Sequence, residues 1–317
     1  YDTDILKELK DNTILSATRV EPPLHGESPL TITKDFGTDP MNFNLKKWNN
    51  YSLSVKRNKT ANYFFAPITF YKNVWLNIGG YDTLFRRSRE DSDLVQRCLH
   101  KGIKLKQTFN AIVYHFTCTS SRGKDWFKKD NIKAQNRVKL QEQADKIELR
   151  RFIRKWGAFN HGIEKLYKFE VDLIIKNSIK LPLDLIYNLE PLFSHVWLDN
   201  ESVRDNILKK VSNEHEFANK LLNFTDEQWQ ETSKYHNLDT YSPRILLTEE
   251  DTIMHNLIKT IKVEIDGNTL QDADVNVFNY IHKVLNNYEK GEYEYGNVKF
   301  NIYNKKTLDH IVCNNPK

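Results

Sequence analysis

Apolar positions follow helical or alternating periods along much of the chain, and these periods predict its elements. The spacing of Ile5, Leu6 and Leu9 predicts a short helix at the start. β-Branched residues and alternation predict a strand over residues 13–20 and a later strand that ends at His115. Helical and strand patterns therefore alternate in the first half of the chain, as they do in α/β proteins.

A strongly charged segment over residues 125–157 keeps nearly every apolar residue on one stripe. This pattern predicts a long helix that Gly157 ends. Residues 169–200 then predict a strand, a helix and a strand, which together form a small βαβ-like unit. The tail predicts a strand, an amphipathic helix over residues 272–289 and further strands. These changes of pattern predict three regions, residues 1–160, 161–250 and 251–317.

The composition is that of a protein with a core, because 39% of the 317 residues are hydrophobic and 28% are charged. The net charge of +5 is only a mild excess of positive charge, and the charged helix predicted over residues 125–157 carries acids as well as bases. Both features disfavour nucleic-acid binding. Three widely spaced cysteines without a Cys-x-x-Cys pair favour a reducing compartment and a cytoplasmic location. No apolar run approaches the roughly 18 residues of a membrane span.

An acidic stretch opens the helix that is predicted over residues 91–101. Helical spacing directs Asp91 towards the buried side, whereas Asp93 pairs with Arg97 on what is predicted to be a solvated face. Two interpretations of Asp91 remain open at this point. It is either an acid that stabilises the start of the helix or a group with a chemical function.

The order of motifs around this stretch resembles family-two glycosyltransferases of the GT-A fold. In that family an aromatic segment leads to Gly-Gly-(Phe/Tyr)-Asp, then Glu-Asp-x-Asp-Leu, a helical Arg, Lys-Gly, and a strand that ends in His. The corresponding residues here are Gly79, Gly80, Tyr81, Asp82, Glu90, Asp91, Asp93, Leu94, Arg97, Lys101, Gly102 and His115. The match spans about residues 60–125. The upstream LSATRVEPPLHGE segment is similar to a subgroup of these enzymes from viruses and bacteria.

The resemblance implies an inverting transfer of a sugar from a nucleotide-sugar donor, with Asp91 as the general base. It also implies that His115 contacts a divalent metal, Mn²⁺ or Mg²⁺, or the diphosphate; a histidine at a strand end with a backbone partner is the alternative. Arg122 and Lys124 are expected either to approach the diphosphate or to lie in a solvated loop. The acceptor side is expected to be formed or supported by Glu90, Gly79, Gly80 and Tyr81.

The expected fold class is α/β, with a GT-A-like (Rossmann-like) catalytic half followed by a smaller α+β region. The chain starts too late to contain the nucleotide-binding half with its Asp-x-Asp motif, so this chain alone is expected not to bind the donor. The acceptor would be a glycan, a lipid-linked glycan or a protein. The alternative function is a non-catalytic carbohydrate-binding or structural module that inherited the fold.

Overall fold

The chain divides into two compact units. A computed structural model of the protein describes residues 2–23, 28–82, 85, 88–116, 132–157, 163–166, 171–193, 195–221, 244–247, 261–267, 291–295 and 298–302. The first unit comprises Tyr1–Lys146, His161–Lys165 and Val312–Lys317, and the second comprises Ile147–Asn160 and Leu166–Ile311. Among the described helices, none has both the length and the apolar character that crossing a membrane requires.

The first unit is a mixed α/β structure around one sheet. Its helices are α1 (Asp2–Glu8), α2 (Leu45–Ser54), α3 (Lys72–Ile78), α4 (Glu90–His100) and the first part of α5 (Ile132–Trp156). Its strands are β1 (Thr13–Glu21), β2 (Ile32–Thr33), β3 (Thr60–Ala61), β4 (Ile68–Thr69) and β5 (Lys104–Tyr114). The strand order is β2-β1-β5-β3, and β4 also pairs with β1. Strand β1 is parallel to β5 and β2 and antiparallel to β4.

Strand β1 is buried over its first eight positions, because helices cover both faces of the sheet. On one face Ile14 packs with residues of α3 and α4, including Ile78 and Leu94. On the other face Leu15 packs with Ile5 of α1. The buried positions of β1 also include the polar residues Thr13, Ser16, Thr18 and Arg19, so the strand does not read as a continuous apolar run. The predicted helix at the start and both predicted strands of this unit are confirmed.

Helix α2 was not predicted, because none of its residues is fully buried and its apolar stripe is weak. Its first turn is capped by Asn44, whose side-chain oxygen accepts from the Lys47 N–H at 3.0 Å. Trp48 and Tyr51 of this helix pack around Phe36 in an aromatic cluster. The helix is therefore held by aromatic edges rather than by a buried face.

The second unit is also mixed α/β. Its helices are the rest of α5, α6 (Leu183–Leu189) and α7 (Glu201–Leu221). Its strands are β6 (Val171–Lys176), β7 (His195–Leu198), β8 (Arg244–Leu247), β9 (Ile261–Asp266), β10 (Gly291–Tyr295) and β11 (Val298–Ile302). They form one sheet in the order β10-β11-β9-β6-β7-β8. The predicted boundary at residue 250 thus falls between two strands of a single sheet.

The predicted βαβ unit is confirmed, because β6 and β7 are parallel and α6 connects them. Helix α5 ends at Gly157, which adopts φ 82° and donates its N–H to Ile153 O at 2.7 Å. The helix predicted over residues 272–289 lies outside the described residues. Both units are mixed α/β with parallel and antiparallel pairs, and the GT-A assignment stays a prediction.

Candidate functional site

The carboxyl ends of β1 and β5 lie side by side in the first unit. The two strands are parallel, with Val20 opposite Tyr114, and the His115 N–H donates to Val20 O at 2.9 Å. Helix α4 immediately precedes β5 in the chain and packs on the sheet through Leu94, so its start also faces this edge. In open α/β sheets, ligands bind outside the carboxyl ends of the strands.

A glycine turn brings Tyr81 towards the start of α4. Helix α3 ends at Gly79, and both Gly79 and Gly80 adopt left-handed conformations with φ of 80° and 72°. A Cβ on Gly80 would lie 3.3 Å from the ring of Trp75, so the turn packs directly on that indole. The predicted tight turn is therefore confirmed, and the next residue, Tyr81, packs edge-on against Trp75.

Asp91 is a partly buried carboxylate whose Oδ1 accepts a hydrogen bond from the Tyr81 hydroxyl at 3.2 Å. Burial raises the pKa of Asp91, although the bond from Tyr81 and the nearby charge of Arg19 act in the opposite direction. The N-cap residue of α4 is Arg89, which makes no side-chain capping bond. The described hydrogen bond of Asp91 thus goes to a neighbouring side chain and not to the helix backbone.

Arg19 and Glu21 at the end of β1 meet His115 after β5. His115 Nδ1 lies 2.7 Å from Glu21 Oε1, and Arg19 Nη1 lies 3.5 Å from the same oxygen. The Arg19 guanidinium also donates to Ala66 O and stacks 3.5 Å above the Phe65 ring centroid. We call Arg19, Glu21 and His115 the strand-end cluster.

Glu21 determines the tautomer of His115. A carboxylate only accepts hydrogen bonds, so the contact places the hydrogen on Nδ1, and in the neutral ring Nε2 is then the basic nitrogen. The hydrogen bond from His115 is the main cause that lowers the pKa of Glu21, and Arg19 adds to it. The charge of Arg19 also reaches Asp91, so the strand-end cluster and Asp91 share one electrostatic environment.

The described residues do not by themselves form a divalent-metal site. Among them, no group of three or more His, Cys, Asp or Glu side chains is placed to hold an ion. His115 and Glu21 could supply two ligands, but Arg19 Nη1 lies 3.4 Å from His115 Nδ1, and its charge opposes a second cation there. No reaction step is therefore assigned to a metal, and metal dependence stays a prediction.

The prediction that Asp93 and Arg97 lie on a solvated face was wrong. Both side chains are 0% exposed, and Arg97 Nε donates to Asp93 Oδ2 at 2.8 Å. Arg97 Nη1 also donates to Ile78 O, the last residue of α3, at 2.6 Å. The α3 end and its glycine turn cover this side of α4, so the acid that is fully buried is Asp93 and not Asp91.

The structure brings together five of the eight residues that were predicted for the site. Glu90 begins α4. The pKa of the Tyr81 phenol is raised mainly by burial, then by the Asp91 carboxylate, and to a smaller extent by Glu90. Gly79, Gly80 and Tyr81 complete the group around Asp91. His115 instead joins Arg19 and Glu21, and Arg122 and Lys124 lie outside the described residues.

Sequence reasoning missed Arg19 and Glu21. The available signal was two charged residues at alternate positions at the end of a predicted strand. Comparison of the chain with models of known protein families, with curated proteins and with solved structures found no match. The function must therefore be argued from the residues and their geometry.

Proposed function

We propose that the protein is an inverting glycosyltransferase in which Asp91 is the general base. The observation that carries this proposal is the environment of the Asp91 carboxylate. It is partly buried, has a raised pKa and is held on one oxygen by Tyr81 at the carboxyl edge of the sheet. The ordered motif from Gly79 to His115, which resembles family-two glycosyltransferases, supplies the reaction class.

A general base must be held still, reach the proton that it removes and be basic enough to take it. Tyr81 fixes Oδ1, and within the described residues Oδ2 accepts no hydrogen bond, so this oxygen is available to an acceptor hydroxyl. Burial makes the carboxylate more basic than an exposed aspartate. The positive charge of Arg19 opposes this rise in pKa and favours the ionised carboxylate, which is the form that can act as a base.

The strand-end cluster supports the donor side of the same reaction. When the glycosidic bond to the donor breaks, negative charge accumulates on the leaving diphosphate, and cations stabilise it. Arg19 and His115 place two basic side chains at the sheet edge, and Glu21 orients both. In this proposal Arg19 and His115 face the leaving diphosphate. Arg122, Lys124 and a divalent metal are further candidates for stabilising its charge.

The test is nucleotide release by the full-length protein from UDP-, GDP- and dTDP-sugars, with and without Mn²⁺. Asp91→Asn keeps the shape of the side chain and its bond from Tyr81 but removes the base, so we expect release to fall about 10²- to 10⁴-fold. Asp11→Asn is the matched control, because Asp11 is exposed in the turn that precedes β1, at the opposite end of that strand.

Three other outcomes would each change the proposal in a defined way. Release that survives Asp91→Asn would exclude Asp91 as the base. Release that does not depend on Mn²⁺ would remove the metal and leave the cationic side chains to stabilise the diphosphate. No release from any donor by a folded protein would favour the non-catalytic carbohydrate-binding module.

A further inference from the structure

The second unit contains four parallel strands whose order in the sheet differs from their order in the chain. Strands β6, β7 and β8 follow one another outwards from the centre, and each pairs in parallel with the next. Strand β9 then returns to the other side of β6, again in parallel. Numbered along the chain, these strands lie in the order third, second, first, fourth. The direction in which successive strands are added to the sheet therefore reverses between β6 and β9, although the two strands are parallel.

Such a reversal is where open α/β sheets bind ligands, because the connections that leave the two neighbouring strands run in opposite directions and leave a crevice. Here the reversal lies at the carboxyl ends of β6 and β9. The Gly267 N–H, directly after β9, donates to Lys176 O at 2.8 Å. A Cβ on Gly267 would overlap the carbonyl oxygen of Asn177, so only glycine allows the two strand ends to meet in this way.

The turn that follows β6 is fixed by an acid at the end of the next strand. Asn177 adopts a left-handed conformation with φ 52° and leads into a 3-10 turn over Ser178–Lys180. The Asp199 carboxylate accepts from the Asn177 N–H, from the Ser178 N–H at 2.9 Å and from the Ser178 hydroxyl at 2.7 Å. These bonds outweigh burial, so the pKa of Asp199 is lowered.

Asp199 has the position of a ribose-binding acid. Dinucleotide-binding folds place an acid at the end of the second strand, about 20 residues after the first turn, where it accepts from the ribose hydroxyls. Asp199 lies 22 positions after Asn177 and is exposed. Its Oδ2 accepts one bond in the structure, and a carboxylate oxygen can accept two.

The turn differs from a dinucleotide site in the way that it would hold phosphate. It has no Gly-x-Gly-x-x-Gly sequence, and Asp199 already occupies the amides of Asn177 and Ser178. Lys176, which precedes the turn, and Lys180, which ends it, are both exposed. Cationic groups beside an ionised acceptor suit a ligand that has phosphate at one end and hydroxyls at the other.

We infer that the second unit binds a ribonucleoside phosphate at the carboxyl ends of β6 and β9, with its phosphate on Lys176 and Lys180 and its ribose on Asp199. This inference does not rest on the glycosyltransferase proposal. It assigns the second unit a site of its own, built from residues of that unit alone.

Calorimetric titration of the full-length protein with UDP, GDP and ADP tests the inference. We expect at least one of them to bind, and Lys180→Glu to weaken that binding about tenfold or more through loss of a charge-assisted contact. The matched control is Lys209→Glu, which makes the same charge change at an exposed position within α7 and should leave the affinity unchanged.

A second titration tests the ribose contact. The 2′,3′-dideoxy form of the same nucleotide should bind about tenfold more weakly to the wild type, and this difference should disappear in Asp199→Asn. Absence of binding by all three nucleotides would overturn the inference. Binding that is unchanged in Lys180→Glu would also overturn it. So would binding that Arg19→Met abolishes while Lys180→Glu does not, because the nucleotide would then occupy the first unit.

Discussion

Two ionic groups in the first unit each pair an arginine with a carboxylate but differ in burial. The side chains of Arg97 and Asp93 are both 0% exposed. In the strand-end cluster, Arg19 and Glu21 are 10% and 14% exposed, and His115 is 41% exposed. A fully buried pair cannot meet a ligand without unfolding its surroundings, whereas a partly exposed cluster can exchange its partners for a substrate. Burial therefore separates a structural ion pair from a candidate binding group when composition does not.

The largest effect should follow from removing one member of the buried pair. Arg97→Met removes the guanidinium that donates to the buried Asp93 carboxylate and to Ile78 O. We expect a loss of about 3–5 kcal/mol in the free energy of unfolding, measured by urea denaturation. Lys101 is partly exposed and donates to Asn77 O at 2.6 Å, so it supplies the control Lys101→Met, with an expected loss below about 1 kcal/mol.

The double variant Arg97→Met with Asp93→Leu tests the cause of that loss. It also removes the buried Asp93 carboxylate, so it should recover much of the stability that Arg97→Met alone loses. A loss below about 1 kcal/mol for Arg97→Met would contradict the burial of the pair, because only a hydrated pair is that weak.

The strand-end cluster should contribute much less to stability. We expect Glu21→Gln to cost up to about 1 kcal/mol near neutral pH, as for partly exposed ion pairs. The bond from His115 lowers the pKa of Glu21 below its ordinary 4.5, so its stabilisation is present above that value and is lost as the pH falls through the folded pKa. The difference from wild type should therefore be present above the ordinary pKa of 4.5 and shrink as the pH falls through the lowered folded pKa of Glu21.

Urea denaturation of both proteins across this pH range measures the effect, with the exposed Asp11→Asn as the control for a general change of charge. A difference that does not shrink as the pH falls below the ordinary pKa of 4.5 would assign the loss to packing rather than to charge. A loss of stability in Glu21→Gln well above about 1 kcal/mol would indicate that the strand-end cluster is a structural ion pair like Arg97 and Asp93. It would then weaken the proposal that this cluster binds the leaving diphosphate.

Local periodicity predicted the elements that frame the site but not every partner within it. The strand patterns of β1 and β5 and the apolar stripe of α4 could be recognised in the sequence because each follows its own period. The tight turn at Gly79 and Gly80 was readable for a similar reason, since adjacent glycines permit left-handed backbone. Asp91 was singled out because it opens a helix in an ordered motif.

Contacts between distant segments were not predicted. Glu21 and His115 are 94 positions apart and meet only because β1 and β5 are parallel neighbours, which no local pattern reports. The burial of Asp93 was missed because the segment that packs over it is the end of α3, at Ile78, which is distant from Asp93 in the local helical pattern. In both cases the sequence carries the charged residues, and the tertiary pairing decides what surrounds them.

The smallest effect should be a gain of stability when Asp91 loses its charge. A carboxylate with a raised folded pKa binds its proton more tightly in the folded state, so folding is penalised increasingly as the pH rises through that pKa. Asp91→Asn keeps the bond from Tyr81 and should therefore melt slightly above the wild type near neutral pH, with the difference vanishing below the ordinary pKa of 3.8. If Asp91 were mainly a helix-stabilising acid, the same substitution would cost up to about 1 kcal/mol. Thermal denaturation at neutral and acidic pH separates the two roles. Higher stability of Asp91→Asn, combined with loss of nucleotide release, would indicate that Asp91 contributes to catalysis and not to stability.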